Sequence, residues 1–160
     1  MRPMPSVFQK LNLKAQTEIV VVNAPASFEP ELAALAGVNV LRDARTAKSI
    51  SFAIAFAIKH KEVDAAATAI AAKASGDAVI WFAYPKGSSK KYTCEFNRDT
   101  GWAELARAGY EPVRQVAIDG DWSALRFRKV EHIKTMTRSF AATEAGKAKA
   151  KPKTNRRESA

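Results

Sequence analysis

The chain has 160 residues, 47% apolar and 26% charged, a composition typical of one soluble globular domain, and it contains no apolar run long enough to span a membrane. Its single cysteine, Cys94, excludes an internal disulfide and favours a reducing compartment. Because Met1–Pro5 lacks the apolar segment of a signal peptide, we expect a cytoplasmic protein, and because His60 and His132 have no partner at metal-ligand spacing, we expect no metal site.

The first forty residues contain the pattern of a β-α-β unit. Residues 18–23 and 38–41 are β-branched runs that are too short for helices and are typical of buried strands. Between them, Ser27 fits the N-cap of a helix that Gly37 ends. A strand, a helix and a strand in succession are typical of a parallel sheet, so we expect the two strands to run in the same direction.

Residues 50–58 alternate large and small side chains, which favours a strand over a helix. The isoleucines and phenylalanines would lie on one face, and Ser51 with the alanines on the other, where small side chains would let a helix approach closely. The preceding linker, residues 43–49, is short for a helical crossover, so we expect a lost or shortened helix there. An alanine-rich helix over Lys61–Ala74 follows.

Residues 78–84 form an apolar run that ends at Pro85 and continues into a short basic loop rich in glycine and serine. We interpret the run as a central buried strand that delivers the loop at its end. Asn97 or Asp99 can cap the next helix, which Gly109 ends.

Residues 113–118 and 123–128 flank an Asp-Gly turn, which indicates a β-hairpin. A four-residue loop would pair Val116 with Leu125, whereas a two-residue loop would pair Val116 with Ser123. We favour the first register, because it keeps apolar side chains together. It places the tryptophan of this stretch in the loop.

Together these elements predict an α/β fold, with a mostly parallel Rossmann-like sheet of about six strands, a terminal antiparallel hairpin and a C-terminal helix from Glu131 to about Gly146. We expect one domain over residues 1–142. The net charge is +10, and residues 143–160 carry six basic and two acidic side chains. We expect this basic tail to be disordered when free, because it has no apolar surface to offset the entropy of ordering.

Polar side chains follow the predicted strands at the points where those strands end. Asn23 follows the first strand, and Tyr84 and Lys86 follow the central one. Ligands in open α/β sheets bind beyond the carboxyl ends of the strands, so we expect these side chains to share one edge. If the first hairpin strand is parallel to the others, the hairpin loop joins that edge. The predicted ligand-binding residues are Asn23, Tyr84, Lys86, Ser88, Ser89, Lys90, Asp119, Trp122 and Ser123.

Each part of this predicted site has a purely structural alternative. The lysines and serines of the basic loop could hold a phosphate, but they match no P-loop motif and are equally typical of a solvated surface loop. Asp119 could instead bond the backbone of its own turn. Trp122 could be a packing anchor whose N–H finds a partner.

The sequence shows no catalytic constellation, since neither Cys94 nor Ser123 has a histidine or other base placed near it. The basic tail could bind nucleic acid by neutralising phosphates, or it could only increase solubility. The residues that would make the nucleic-acid contacts are Lys147, Lys149, Lys151, Lys153, Arg156 and Arg157.

Two stretches resemble a known family: Tyr84-Pro85-Lys86, which closes an apolar strand, and Asp121-Trp122-Ser123-Ala124-Leu125-Arg126 in the hairpin. Together they are similar to a bacterial family of small proteins that carry a domain of unknown function (DUF 3052-like), over about residues 10–140. The layout of the sheet also resembles a shortened class I methyltransferase. Those enzymes approach their methyl donor through a glycine-rich turn after the first strand, whereas the turn over residues 23–27 has no glycine and contains Pro25, which lacks an N–H donor.

We therefore expect a methyltransferase-like fold without a bound cofactor, because fold does not carry function. The main hypothesis is an α/β binding domain whose basic tail contacts nucleic acid or another polyanion. The alternative is a small transferase-like enzyme that acts on an anionic or phosphorylated metabolite at the strand ends. A third hypothesis is a structural protein that docks on a partner through an edge strand or an apolar helix.

Overall fold

The computed structural model describes residues 6–94, 96 and 101–133, which are built around a six-stranded sheet in the order β2-β1-β3-β4-β6-β5. The strands are β1 (Glu18–Val22), β2 (Asn39–Leu41), β3 (Ile50–Phe56), β4 (Ala74–Pro85), β5 (Tyr110–Ala117) and β6 (Trp122–Lys129). β1 to β4 are parallel, and β6 is antiparallel to both β4 and β5. The predicted mostly parallel sheet with a terminal antiparallel hairpin is confirmed. β5 runs in the direction of β1–β4, so the hairpin loop lies at their carboxyl edge.

Short helices and 3-10 turns pack on the two faces of the sheet. The helices are α1 (Ser6–Lys10), α2 (Glu29–Ala33), α3 (His60–Lys73) and α4 (Ala103–Arg107), and the 3-10 turns span Ala26–Phe28, Ala44–Thr46 and Val130–His132. α3 begins with one half of a capping box, in which Glu62 Oε1 accepts from the N–H of Ile58 at 2.8 Å and of Lys59 at 3.0 Å. Among the described residues, no helix has the length and hydropathy that a membrane crossing requires.

β3 separates two apolar clusters, as its alternating sequence predicts. On one face Ala53, Ala55 and Ala57 pack with α3; we call this the alanine-side core. On the other face Phe52, Ile54 and Phe56 pack with α1 and the turn after β1; we call this the phenylalanine-side core. The small side chains bring α3 close to the sheet, as expected. Only Ile50 departs from the predicted alternation. It joins the alanine-side core, because the β3–β4 register shifts between Ile50 and Phe52.

The connection from β2 to β3, residues 42–49, crosses the alanine-side face with a single 3-10 turn, Ala44–Thr46. The predicted shortening of this crossover is therefore confirmed. Ala44 and Ala47 are buried in the alanine-side core. Lys73 Nζ at the end of α3 donates to the Ala47 carbonyl at 2.7 Å, which fixes the crossover to the helix.

The hairpin register differs from both predicted alternatives. Val116 pairs with Ala124, and the loop consists of Asp119, Gly120 and Asp121, with Ile118 N–H donating to the Trp122 carbonyl at 2.9 Å. Trp122 is the first residue of β6 and is buried, so the prediction that it lies in the loop was wrong. The reason is local: the Asp119 side chain organises a three-residue turn, a length that neither alternative included.

Two helix boundaries also differ from the prediction. Ser27 lies inside a 3-10 turn, and Phe28 is the N-cap of α2 without a side-chain hydrogen bond. The C-terminal helix does not begin at Glu131, because the 3-10 turn there ends at His132 and Ile133 is extended. The rest of that predicted helix lies outside the described residues, as do the basic tail over 143–160 and the predicted caps Asn97 and Asp99.

Candidate ligand-binding cleft

A cleft of about 450 Å³ opens at the carboxyl ends of β1 and β2, beside α3, and its volume is in the range of small-molecule sites. The connection after β1 leads to β2 on one side, and the connection after β3 leads to β4 on the other, so the topological switch point, where open α/β sheets bind ligands, lies between β1 and β3. The cleft adjoins it through the end of β1 and through α3, the helix that follows β3. The lining residues are Val22, Asn23, Arg42, Asp43, Ala44, Arg45, Ala65, Ala66 and Ala69.

Asn23 turns the chain sharply at the end of β1. Its backbone is in the left-handed region, at φ 58°, which asparagine tolerates better than most residues that carry a Cβ. A glycine would ordinarily supply this conformation. The turn therefore has a tight geometry although it contains no glycine. Pro25 still removes one N–H donor from it.

Asp43, two residues beyond β2, is held by its neighbour Arg45. Asp43 Oδ1 accepts from Arg45 N at 2.9 Å and Nε at 3.1 Å, and Oδ2 accepts from Nη2 at 2.7 Å. The guanidinium and then the backbone N–H of Arg45 lower the pKa of Asp43 to about 2. A carboxylate has about four lone-pair sites, so the ionised group keeps acceptor capacity at Oδ2.

Arg42 is the second guanidinium of the cleft and is paired with Glu29. Its Nη1 and Nη2 donate to the two Glu29 carboxylate oxygens at 2.7 and 2.9 Å. This bond lowers the pKa of Glu29 and raises that of Arg42. The pair connects the crossover to the first turn of α2 and fixes one wall of the cleft.

The opposite wall of the cleft consists of alanines on α3. Ala66 is buried and Ala69 half-buried, whereas Ala65 is exposed at the cleft surface. Because alanine side chains are small, this wall leaves the space that the cleft occupies. The cleft is thus apolar along α3 and charged along the crossover, a combination that suits a flat apolar group carrying polar substituents.

The Tyr84-Pro85-Lys86 corner meets the hairpin loop, as the shared strand edge predicts. Lys86 N–H donates to the Asp121 carbonyl at 2.7 Å, and Ser89 Oγ donates to Asp121 Oδ1 at 2.9 Å. These bonds join the basic loop to the hairpin. Ser88 and Lys90 are exposed on the same loop, and Lys86 is half-buried.

The polar atoms of this corner bond mainly to the protein itself. Asp119 Oδ1 accepts from the N–H groups of Asp121 and Trp122 at 2.8 and 2.9 Å, which is the structural alternative considered for this residue. Ser89 Oγ also accepts from the N–H groups of Lys91 and Tyr92, both at 3.2 Å.

Tyr84 and Trp122 lie on opposite faces of the sheet. Tyr84 is in the alanine-side core and its hydroxyl accepts from Gln115 Nε2 at 2.9 Å, while Trp122 packs in the phenylalanine-side core against Phe56 at 5.2 Å between ring centroids. The Trp122 Nε1–H has no hydrogen-bond acceptor among the described residues, so the partner of this N–H stays a prediction. Ser123 is buried and pairs with Tyr84 across the strands.

Asn23 is therefore the one predicted ligand-binding residue that lines the cleft. β3 lies between β1 and β4, so about 10 Å of sheet separates the end of β1 from the corner at Lys86. The sequence reasoning missed Arg42, Asp43 and Arg45. Asn23 was selected because it is a polar residue that follows a strand. The same criterion selects Arg42, Asp43 and Arg45, which follow the short second strand.

The fold is similar to solved structures of methyltransferases. The N-methyltransferase NodS from Bradyrhizobium japonicum aligns with TM-score 0.51 and 10% identity over 78% of this chain and 92% of that one. A SAM dependent methyltransferase from Aquifex aeolicus aligns with TM-score 0.52 and 12% identity over 78% and 88%. The magnesium protoporphyrin IX methyltransferase from Synechocystis aligns with TM-score 0.50 and 9% identity over 78% and 81%. No family model and no curated protein matches the sequence.

The chain has a methyltransferase-like α/β fold. At this level of identity the similarity shows the fold alone. The resemblance to the bacterial family with a domain of unknown function stays a prediction.

Proposed function

We propose that the protein is a small transferase-like enzyme of the methyltransferase fold that binds a small molecule in the cleft at the ends of β1 and β2. The observation that carries this proposal is the position of the cleft beside the topological switch point of the sheet. The similarity of the fold to methyltransferases supports the transferase alternative over a binding domain without catalysis, and the cleft moves the expected site from the Lys86 corner to the crossover.

The residues of the cleft fit a nucleoside-type group donor such as S-adenosylmethionine. Asp43 follows β2 and keeps a free acceptor position, and an acidic residue about twenty positions beyond the first strand turn is suited to a ribose hydroxyl. The alanine wall of α3 would contact the purine ring. When bound, such a donor supplies an electrophilic methyl group on a sulfonium.

The chain's own contribution at this site is to bind and orient. Arg45 holds the Asp43 carboxylate ionised and aimed, the Arg42–Glu29 pair fixes the crossover, and Ala66 and Ala69 exclude water from one side of the cleft. No described side chain is placed as a general base in the cleft lining, which consists of apolar residues, Asn23, one paired carboxylate and two guanidiniums.

A matched pair of substitutions on α3 tests the proposal. We expect Ala65→Leu to fill the mouth of the cleft, whereas Ala72→Leu makes the same change at an exposed position outside the lining. S-adenosylhomocysteine and adenosine are titrated calorimetrically into both variants and the natural chain. We expect binding to the natural chain and to Ala72→Leu, and affinity at least about tenfold weaker for Ala65→Leu. Absence of binding to the natural chain, or equal affinity in both variants, refutes the proposal.

A second function, contact with nucleic acid or another polyanion, is favoured by the charge of the chain. Residues 143–160 carry six cations against two carboxylates, and polyanion binding by phosphate neutralisation depends on charge more than on shape. This function would be separate from ligand binding in the cleft.

A further inference from the structure

Three arginines share one face of the β5–β6 hairpin. Arg114 on β5 is directly opposite Arg126 on β6, and Arg128 follows two residues later on the same face. The face is that of the phenylalanine-side core, because Arg126 also pairs with Trp81 of β4, a residue of that core. Like charges directly opposite one another destabilise a sheet, so this arrangement is unfavourable for the isolated fold.

One of the three arginines is neutralised within the protein. Arg128 Nε donates to the Asp77 carboxylate oxygens at 3.0 and 3.1 Å, and its Nη2 donates to Oδ2 at 2.5 Å. This pairing lowers the pKa of Asp77 and raises that of Arg128. Neither Arg114 nor Arg126 forms an ion pair with any carboxylate of the described residues. Within the described part of the chain, two positive charges on this face therefore have no counter-charge at contact distance.

Arg126 in particular has an unused donor. Its Nε atom is buried and has no hydrogen-bond acceptor among the described residues. Burial, followed by the charge of Arg128, lowers the pKa of Arg126. A buried charged donor without an acceptor is unfavourable unless a ligand supplies one, and such local conflicts are expected at functional sites.

We propose that Arg114 and Arg126 form a binding site for a phosphoryl oxyanion on this face of the hairpin. The site is independent of the cleft and of the function proposed for it. A phosphoryl group offers several acceptor oxygens, and guanidinium groups bind it in a fork-like geometry. Its oxygens would accept from the half-buried Arg126 guanidinium, while Arg114 across the strand pair contributes a second guanidinium and Arg128 remains fixed by Asp77.

A phosphoryl group of this kind could come from free phosphate or from the backbone of a single-stranded nucleic acid. The test therefore has two probes, inorganic phosphate and a short oligothymidylate, both titrated at matched ionic strength with chloride as the competing anion, and the oligothymidylate titration is repeated over a series of chloride concentrations. The full chain is compared with Arg126→Met, with Arg114→Met and with Arg107→Met. Arg107 is the matched control, because it is an exposed arginine on α4 that pairs with Glu104.

We expect at least one probe to bind the natural chain saturably and to raise its unfolding temperature. Arg126→Met and Arg114→Met should each weaken the affinity for that probe about tenfold or more, and Arg107→Met should leave the affinity unchanged. Without either probe, Arg126→Met should unfold at a higher temperature than the natural chain, because the buried unpaired donor is gone. For oligothymidylate, Arg126→Met should reduce the slope of affinity against salt by about one.

The two probes identify the source of the anion. Binding of phosphate alone assigns the site to a small phosphorylated ligand, and binding of oligothymidylate alone assigns it to a nucleic-acid backbone. The proposal is overturned if neither probe binds, or if the Arg107→Met control loses as much affinity as Arg126→Met and Arg114→Met.

Discussion

At the scale of single residues, the charged side of the cleft depends on an ion pair between two residues that are close in sequence. Asp43 and Arg45 are only two positions apart, so the 3-10 turn that starts between them brings a carboxylate and a guanidinium into contact without help from the rest of the fold. Asn23 contributes a backbone conformation rather than a side-chain contact. The two features are local and need no long-range packing to form.

The pairing of Asp43 with Arg45 predicts an unusual titration. The folded-state pKa of Asp43 lies at about 2, below its ordinary value of 3.8. The pairing therefore stabilises the fold above the unfolded-state pKa, and this contribution is lost as the pH falls from about 4 through about 2. A carboxyl-carbon NMR titration should give a midpoint near 2 for Asp43, moving up toward the ordinary value in Arg45→Gln. An unchanged midpoint in that variant contradicts this account.

At the scale of elements, α3 connects the core to the cleft. Its alanines pack closely on β3, its outer alanines form a wall of the cleft, and Lys73 at its end holds the crossover. The start of the helix is fixed by Glu62, whose carboxylate accepts two backbone N–H groups that would otherwise be unpaired at a helix end.

Loss of this cap should destabilise the whole fold. We expect Glu62→Ala to lower the free energy of unfolding by about 1 kcal/mol, measured by urea denaturation. Asp64→Ala is the control, because Asp64 is exposed on the same helix and lies beyond its first turn. Equal effects of the two substitutions would show that charge or helix propensity, and not the cap, is responsible.

At the scale of the whole molecule, the charge is distributed unevenly. The net charge of +10 combines the basic tail, the arginine face of the hairpin and the lysines of the loop after β4. Fields of this sign attract polyanions over distances of the order of the Debye length, about 8 Å at physiological salt.

Removal of the tail should show how much of this attraction it supplies. Six cations that engage phosphates give a slope of log affinity against log salt on the order of −5 for duplex DNA. We expect this slope for the full chain and a much shallower one for a version that ends at Phe140, with circular dichroism confirming that the shorter protein is folded. Identical slopes, or no binding of the full chain at low salt, would eliminate the tail as a nucleic-acid contact.

The sequence predicts the sheet better than it predicts the site. The alternation in residues 50–58 was sufficient to assign β3 and its alanine face, because side-chain period follows directly from strand geometry. The hairpin register was not predictable in the same way, since it depends on two hydrogen bonds to the Asp119 side chain. Two N–H groups without an acceptor among the described residues, Trp122 Nε1 and Arg126 Nε, are buried by packing between distant strands, which no local pattern encodes.

The short crossover over residues 42–49 also affects how the chain reaches its fold. A crossover between parallel strands ordinarily takes a dozen or more residues with a helix, and each added residue raises the entropy lost when the strands are brought together. Here the fixed 3-10 turn brings β3 to β1 after a short excursion. The loop that the pairing of Val20 with Ala53 closes is therefore shorter than it would be with a full crossover helix, which lowers the entropy lost on closing it.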